Sequence, residues 1–456
     1  MSGIRYCPNC NTLLGDNNTC PNCGYRSTSF PTTTRSRPES TVTVSQSPTT
    51  RTTSSTIDVM ATTATITPPP PNVSKFRFTI GGRLFEIENL DGEMNSLFRD
   101  LHIDHYGGPP CDRVRFREQA LAFFDANQGR PQHDAHDRFF QNFYIIWSDF
   151  LEKQFYGRAA KLWESALDIA YDWEAANSAY EIHKGTPYYF WGVTCILNRQ
   201  LDEALLLMHQ ALDEDKKTHG TETPPTPAYS FVTLDPTQKN QFFREKVIEI
   251  SDFVRTLLDN YNSTRGGCLT FPQLQSRFLR QTNVQEVVFH FVYGVIRLKD
   301  LLDEIYPRMK HNVFSSLLEA NALFDLCLAV DAFVKSKYSS PPARATFGTH
   351  LNFLSANREH GLPAPLSFVG GKVGQLRSAF TGDFAGTLQD LLLAHSTFRF
   401  SDRSTLQPIE KDFAIAYGVR NFAGHRIENQ PIIYRNFEEL SRRILNTLFF
   451  LVENCT

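Results

Sequence analysis

Between Ser27 and Pro71 the chain contains a stretch in which about two-thirds of the residues are Ser, Thr or Pro and almost none is aromatic. Such a segment buries too little apolar surface to offset the entropy lost on ordering, so we expect it to be disordered. Treated as a coil, it spans about 35–40 Å root-mean-square. The sequence therefore predicts a small N-terminal module, residues 1–26, tethered to a main body by a linker over residues 27–72.

The N-terminal module contains four of the nine cysteines, and they read CPNC, nine residues, then CPNCG. Two C-x-x-C knuckles on a short spacer can arrange four thiolates tetrahedrally around one zinc ion. We therefore predict a structural Zn²⁺ site rather than a redox dithiol, with the ligands Cys7, Cys10, Cys20 and Cys23. The module resembles the zinc ribbons at the ends of many prokaryotic proteins. Whether such a ribbon contacts nucleic acid, contacts protein or only adds stability stays open.

The composition of the chain excludes some classes of protein. Hydrophobic residues make up 41% of it, charged residues 21%, and the formal net charge is -3, so a nucleic-acid partner requires a local basic site. No stretch approaches the roughly 18 apolar residues of a membrane helix, and the first twenty residues lack a signal-peptide core. We expect a soluble cytoplasmic protein, with these remaining cysteines in the core: Cys111, Cys195, Cys268, Cys327 and Cys455.

The main body is predicted to be mainly α-helical, beginning with a β-hairpin. Residues 75–90 alternate apolar and polar side chains on both sides of Gly81-Gly82, which is typical of a hairpin; the apolar positions are Phe76, Phe78, Ile80, Phe85 and Ile87. Beyond this point the hydrophobic period approaches 3.6, and we predict helices over 238–259, 284–304 and 312–336. The proline-rich stretch 341–350 and the glycines around 361–375 are predicted to be loops. We assign residues 73–304 to a middle domain.

One helical pair in the middle domain, residues 185–215, resembles a tetratricopeptide repeat (TPR). Small residues that permit close helix crossing stand at the spacings of that repeat: Gly192, Ala204 and Ala211. One repeat does not make a solenoid. A surface that binds a protein partner and an ordinary helical hairpin are therefore both open interpretations.

Near the carboxyl end, the stretch YGVRNFAGHRIENQ, residues 417–430, places Arg420, Asn421 and His425 between two apolar helical segments. Histidine can transfer protons near neutral pH, arginine can stabilise charge on a phosphoryl transition state, and asparagine can orient either one. Similar arginine–histidine spacings occur twice more, in proline-flanked segments predicted to be loops and without the asparagine: Arg130 with His136, and Arg344 with His350.

A C-terminal helical bundle, residues 305–456, with R-N-x-x-x-H between its last long helices resembles the HEPN superfamily, which includes many ribonucleases of prokaryotic defence and toxin systems. The resemblance implies a metal-independent endoribonuclease that acts as a homodimer on RNA, using the 2′-hydroxyl of the RNA and the residues Arg420, Asn421 and His425. The alternative is a non-catalytic RNA- or protein-binding scaffold that uses the zinc ribbon and the TPR-like helices. In that case Arg420 and His425 only cap helix ends.

Two further stretches carry weaker signals. The glycines of VGGKVGQL, residues 369–376, lack the spacing of a phosphate-binding loop, so we do not predict a nucleotide site there. Four residues close to the motif either line a phosphate groove or lie on a solvated helix face: Tyr434, Arg435, Arg442 and Arg443.

Overall fold

The structure is a computed structural model, and it describes residues 75–90, 92–129, 132–219, 226–237, 241–281, 285–307, 313–339, 345–422 and 431–455. The predicted zinc ligands Cys7, Cys10, Cys20 and Cys23 lie outside these residues, as do the linker 27–72 and His425. All the described residues belong to one unit of the chain, 61–456.

The prediction of a mainly α-helical body is confirmed. In chain order the described residues form these elements: β1 (Phe76–Ile80), β2 (Arg83–Ile87), α1 (Gly92–His105), α2 (Arg113–Ala126), α3 (His133–Gln141), α4 (Tyr144–Glu152), α5 (Tyr156–Ala176), α6 (Gly185–Leu197), α7 (Leu201–His219), α8 (Pro227–Val232), α9 (Gln241–Arg265), α10 (Phe271–Leu274), α11 (Gln285–Asp300), α12 (Val313–Lys337), α13 (Phe347–Asn357), α14 (Ala364–Gly382), α15 (Phe384–Leu392), α16 (Pro408–Phe422), α17 (Pro431–Arg435) and α18 (Phe437–Asn454). Short π-helical segments, Gln275–Leu279 and Leu301–Ile305, follow α10 and α11.

The predicted β-hairpin is present. β1 and β2 pair antiparallel in a register that sets Phe78 opposite Phe85, and the two rings stack with their centroids 5.6 Å apart. Gly81 and Gly82 form the turn with φ of +57° and +83°, the left-handed values that a two-residue hairpin turn favours. The stacked pair packs on His102 of α1, so the hairpin is anchored to the helical body by its buried aromatic face.

The TPR-like stretch is a helical hairpin, as predicted. α6 and α7 pack closely along each other, and α6 also packs on α5, which in turn packs on α4. At the crossing, a Cβ added to Gly192 would lie 3.1 Å from the terminal methyl of Met208, and Ala204 and Ala211 are buried. Small residues therefore allow the two helices to approach, as the sequence pattern requires.

The prediction of a loop at the glycines around 361–375 is wrong, because residues 364–382 form helix α14, and α13 already begins at Phe347. Gly370 of α14 faces the backbone of α13, where an added Cβ would lie only 2.5 Å from the carbonyl oxygen of Leu351. A glycine costs about 1 kcal/mol in a helix, but here it permits a close helix–helix contact. The close contact with α13 accounts for Gly370, so this glycine does not require a role in nucleotide binding.

The C-terminal helices pack together, with α16 in contact with α12, α14 and α18. The apolar stripe of α18 is buried as expected: Phe437, Leu440, Ile444, Leu448 and Leu451. α11 packs on α12, and α9 on α18, so the bundle continues into the helices that precede it.

The prediction that the remaining cysteines lie in the core is confirmed for four of the five that the structure describes. These four are buried: Cys111, Cys195, Cys327 and Cys455. The prediction is wrong for Cys268, which is exposed and donates its thiol to Glu453 Oε1 at 3.0 Å. Every helix in the described part of the chain is too short or too polar to traverse a lipid bilayer.

Candidate functional site at the end of helix α16

Helix α16 carries Arg420 and Asn421 in its last turns. Pro408 begins the helix, where a missing N–H costs nothing, and Glu410 accepts a hydrogen bond from the Gln407 backbone at 2.7 Å. The middle of the helix is buried on nearly all sides, with fully buried Phe413, Ala414, Ile415, Ala416 and Val419. This packing fixes the position of the helix end that bears the motif.

Arg420 is held by α12. Its Nε lies 3.4 Å from Oδ2 of Asp331, and its guanidinium carbon is 4.7 Å from the centre of the Phe324 ring. A guanidinium over an aromatic face gains an attraction of about 0.5–2 kcal/mol, depending on its exposure to water. The arginine side chain is 23% exposed, so α12 contacts the cation on one side while another side remains open to solvent.

Asp331 also contacts Lys335, which lies one turn further along α12. The lysine Nζ is 2.9 Å from Asp331 Oδ1; the lysine side chain is 35% exposed, whereas the aspartate side chain is 3% exposed. One buried carboxylate therefore serves two partly exposed cations, and the group has a formal charge of +1. A phosphate group is the kind of anion that such a forked arginine and neighbouring lysine can bind.

The buried Cys327 lies on the same helix, and its thiol is directed at the carbonyl oxygen of Ala416 at 3.7 Å. Burial raises the pKa of this thiol well above its ordinary value, although Arg420 acts in the opposite direction. The thiol therefore remains protonated at neutral pH and does not serve as a nucleophile.

Asn421 donates its side-chain N–H to the carbonyl oxygen of Tyr417, 2.9 Å away and one turn earlier. It is partly buried and lies about 100° around the helix from Arg420. Arg420 and Asn421 thus lie together at one helix end. His425 lies outside the described residues.

The histidines of the other two arginine–histidine pairs are core residues. His136 lies in α3 and His350 in α13, so the prediction that they sit in loops is wrong. Both are fully buried: Nε2 of His136 is 2.6 Å from the Asn127 carbonyl, and that of His350 is 2.8 Å from the Ser339 carbonyl.

A second charged network occupies the start of α16. Asp412 is fully buried and accepts two hydrogen bonds from Arg265, at 2.5 and 3.0 Å. It accepts two more from α18: one from Arg443 at 2.9 Å and one from Asn446 at 3.2 Å. Arg443 is therefore bound inside the protein, whereas its neighbour Arg442, which pairs with Glu439, is more exposed.

Sequence reasoning missed Asp331 and Lys335. Their signal is an acidic and a basic residue four positions apart in the apolar helix VFSSLLEANALFDLCLAVDAFVKSK. Charges at that spacing share one helix face, and an aspartate in an apolar helix requires a cationic partner when it is buried.

Comparisons with known proteins give no identification: no protein-family model, no curated protein and no solved structure matches this chain. Within the part of the chain that the structure describes, no group of three or more His, Cys, Asp or Glu side chains is arranged to hold a metal ion.

Proposed function

We propose that the C-terminal bundle, residues 305–456, is a metal-independent endoribonuclease of HEPN type whose site combines Arg420, Asn421 and His425 from two copies of the chain. The observation that carries this proposal is the anchoring of Arg420. A buried carboxylate and a phenyl ring hold its guanidinium at the end of α16, next to a second cation, while leaving it partly open to solvent.

In the proposed reaction, His425 removes the proton from a 2′-hydroxyl of the RNA, and the resulting oxygen attacks the adjacent phosphorus. The bond from phosphorus to the 5′-oxygen breaks, and His425 of the second copy protonates that leaving oxygen. The products carry a 2′,3′-cyclic phosphate and a 5′-hydroxyl. Arg420 stabilises the charge that accumulates on the phosphoryl oxygens. Zinc bound by Cys7, Cys10, Cys20 and Cys23 is structural in this scheme.

The test is cleavage of a labelled single-stranded RNA by the full-length protein in the presence of EDTA. Wild-type protein should give products that end in a 2′,3′-cyclic phosphate, and His425→Ala should lower the rate by about 10²–10⁴-fold, the usual contribution of a general acid or base. The matched control is His395→Ala, which changes an exposed histidine of the same bundle and should leave the rate unchanged.

The alternative is a scaffold that binds RNA or protein without cleaving RNA. One observation favours it: the contacts of Arg420 with Asp331 and Phe324 would by themselves account for a partly buried structural arginine. RNA that stays intact at high protein concentration would reject the nuclease and favour the scaffold, whereas equal cleavage by wild type and His425→Ala would reject His425 as the catalytic residue. Binding of intact RNA would then identify an RNA-binding scaffold.

A further inference from the structure

A second group of titratable side chains lies in the middle domain, where α3, α7 and the segment before α6 meet. At its centre is His183, whose side chain is only 7% exposed. No part of the proposed nuclease mechanism uses this group.

Three carboxylates surround the His183 ring. Nε2 lies 3.7 Å from Asp137 Oδ1 and 3.9 Å from Asp215 Oδ1, while Nδ1 lies 4.0 Å from Glu214 Oε2. Nδ1 is also 3.0 Å from the hydroxyl oxygen of Thr218, which fixes the orientation of the ring. The carboxylates come from two helices, α3 and α7, so their charge acts on the contact between those helices.

The other charged groups nearby are already paired. From α3, His133 is paired with Asp134, and its ring centroid lies 6.3 Å from that of His183. Lys184, on the segment before α6, is directed at Glu174 of α5 and at the carbonyl oxygen of Ile182.

On α7, Glu214 accepts hydrogen bonds from the Lys184 backbone and from Lys217, both at 3.0 Å. Burial acts to raise the Glu214 pKa, but the two lysines outweigh it and the pKa is lowered. Glu214 is thus a compensated carboxylate and does not compete for a proton.

His136 is neutral. Its Nδ1 accepts a hydrogen bond from the His183 backbone at 3.1 Å, and burial lowers its pKa to about 4. A histidine that accepts at one nitrogen while its other nitrogen meets a carbonyl oxygen cannot take a second proton without losing the first bond.

Asp215 differs from Glu214 in its contacts: among the described residues, the basic side chain within ion-pair distance of it is that of His183, at 3.9 Å. Burial raises the pKa of Asp215 to about 7, a hydrogen bond from Thr226 acts in the opposite direction, and Asp137 and Glu214 raise it further. Gly185 keeps the group tight: a Cβ there would lie 2.9 Å from Asp215 Oδ1 and 2.8 Å from His183 Nε2.

We propose that Asp215 is a protonation switch that holds the C-terminal part of α7 against His183 and α3 in its neutral form and loosens this contact when it ionises above neutral pH. The neutral acid leaves two carboxylates around the imidazole. Ionisation adds a third negative charge in a site that is nearly closed to water, where like charges repel strongly.

The pH window follows from linkage. The pKa of Asp215 rises from 3.8 in its ordinary state to about 7 in the folded protein, so the folded chain retains a proton that the unfolded chain has lost. The stabilising contribution of this proton is complete below the ordinary pKa. It declines as pH rises from about 4 and is gone once pH passes about 7.

The experiment is hydrogen exchange of the full-length protein, followed by mass spectrometry at pH 6 and pH 8 and corrected for the intrinsic pH dependence of exchange. In wild type we expect amides in residues 177–184 and 211–218 to lose about tenfold in protection at pH 8, the effect of about 1.4 kcal/mol. Asp215→Asn, which is neutral at both pH values, should keep its protection. The matched control Asp213→Asn, on the same helix and more exposed, should behave as wild type.

Equal corrected protection of these amides at both pH values in wild type would overturn the proposal, and this measurement requires no variant. A loss of protection in Asp215→Asn that parallels wild type would overturn it as well, since the pH response would then come from another group. Neither outcome depends on whether the protein cleaves RNA.

Discussion

Helix α16 has a charged network at each end, and the two are built differently. At its start, Asp412 is fully buried and accepts four hydrogen bonds from three side chains, and the two arginines among them are 10% and 12% exposed. At its end, the carboxylate that Arg420 contacts within the described residues is that of Asp331, at 3.4 Å. The Arg420 side chain is 23% exposed, and that of Lys335, which contacts the same carboxylate, is 35% exposed. One network is closed and the other is open.

The difference distinguishes a structural use of these residue types at Asp412 from the use proposed at Arg420. A buried network whose charged groups are all paired contributes rigidity, and breaking it leaves uncompensated charge. In a network with partly exposed cations, some N–H donors remain free to bind an anion that arrives from solvent. We therefore assign the closed network at Asp412 to the joining of α9, α16 and α18, and the open one at Arg420 to the proposed binding of RNA phosphate.

The largest expected effect comes from opening the closed network. Asp412→Ala removes the carboxylate shared by Arg265 and Arg443, so two nearly buried guanidinium groups lose their common acceptor, and Arg443 keeps Glu439. We expect the free energy of unfolding to fall by about 3–5 kcal/mol, the range for breaking a buried ion pair. The measurement is the midpoint of guanidinium-induced unfolding.

The control for this prediction is Asp402→Ala, which removes an exposed carboxylate paired with Lys372 on the surface and should leave the midpoint unchanged. Similar midpoints for the two variants would contradict the assignment of Asp412 as a structural centre.

A smaller loss of stability is expected at the open network, together with a loss of activity. Asp331→Asn keeps the shape of the side chain but removes the charge between Arg420 and Lys335, and should cost about 1–3 kcal/mol. Because the guanidinium is then less firmly positioned, we also expect kcat for RNA cleavage to fall about tenfold at a temperature where the variant is folded.

Asp325→Asn is the matched control, because Asp325 lies on the same helix and pairs with Arg297 at 3.3 Å, away from Arg420. It should lower stability without changing kcat. If both variants lower kcat to the same extent, the contact of Asp331 with Arg420 is a packing contact and not a functional one.

The sequence was sufficient for local features and insufficient for those that depend on distant partners. The β-hairpin follows from alternation around Gly81-Gly82, and the buried stripe of α18 from its 3.6-residue period, because each signal lies within one element. The zinc ligands and His425 stay predictions, since they lie outside the described residues.

Two failures have identifiable physical causes. The glycines around 361–375 predict a loop because glycine disfavours helices, yet contact with the backbone of α13 outweighs that preference at Gly370. The closed network was not predictable because Arg265 and Asp412 are 147 residues apart, and sequence spacing carries no information on such a contact. Within the described part of the candidate site, the motif identifies Arg420 and Asn421, whereas Asp331 and Lys335 required the packing of α12 on α16.

The smallest expected effect distinguishes two neighbouring arginines of α18. Arg442 is 36% exposed and pairs with Glu439 on its own helix, whereas Arg443 is 12% exposed and reaches Asp412. Arg442→Ala should therefore change the free energy of unfolding by no more than about 0.5 kcal/mol, the value of an exposed helical pair. Guanidinium-induced unfolding of both variants measures the difference, and Arg443→Ala should show a clearly larger loss, because Asp412 stays buried with fewer donors. If Arg442→Ala instead reduces the salt dependence of RNA binding by about one charge, Arg442 lines the phosphate groove and the open network extends from Arg420 to α18.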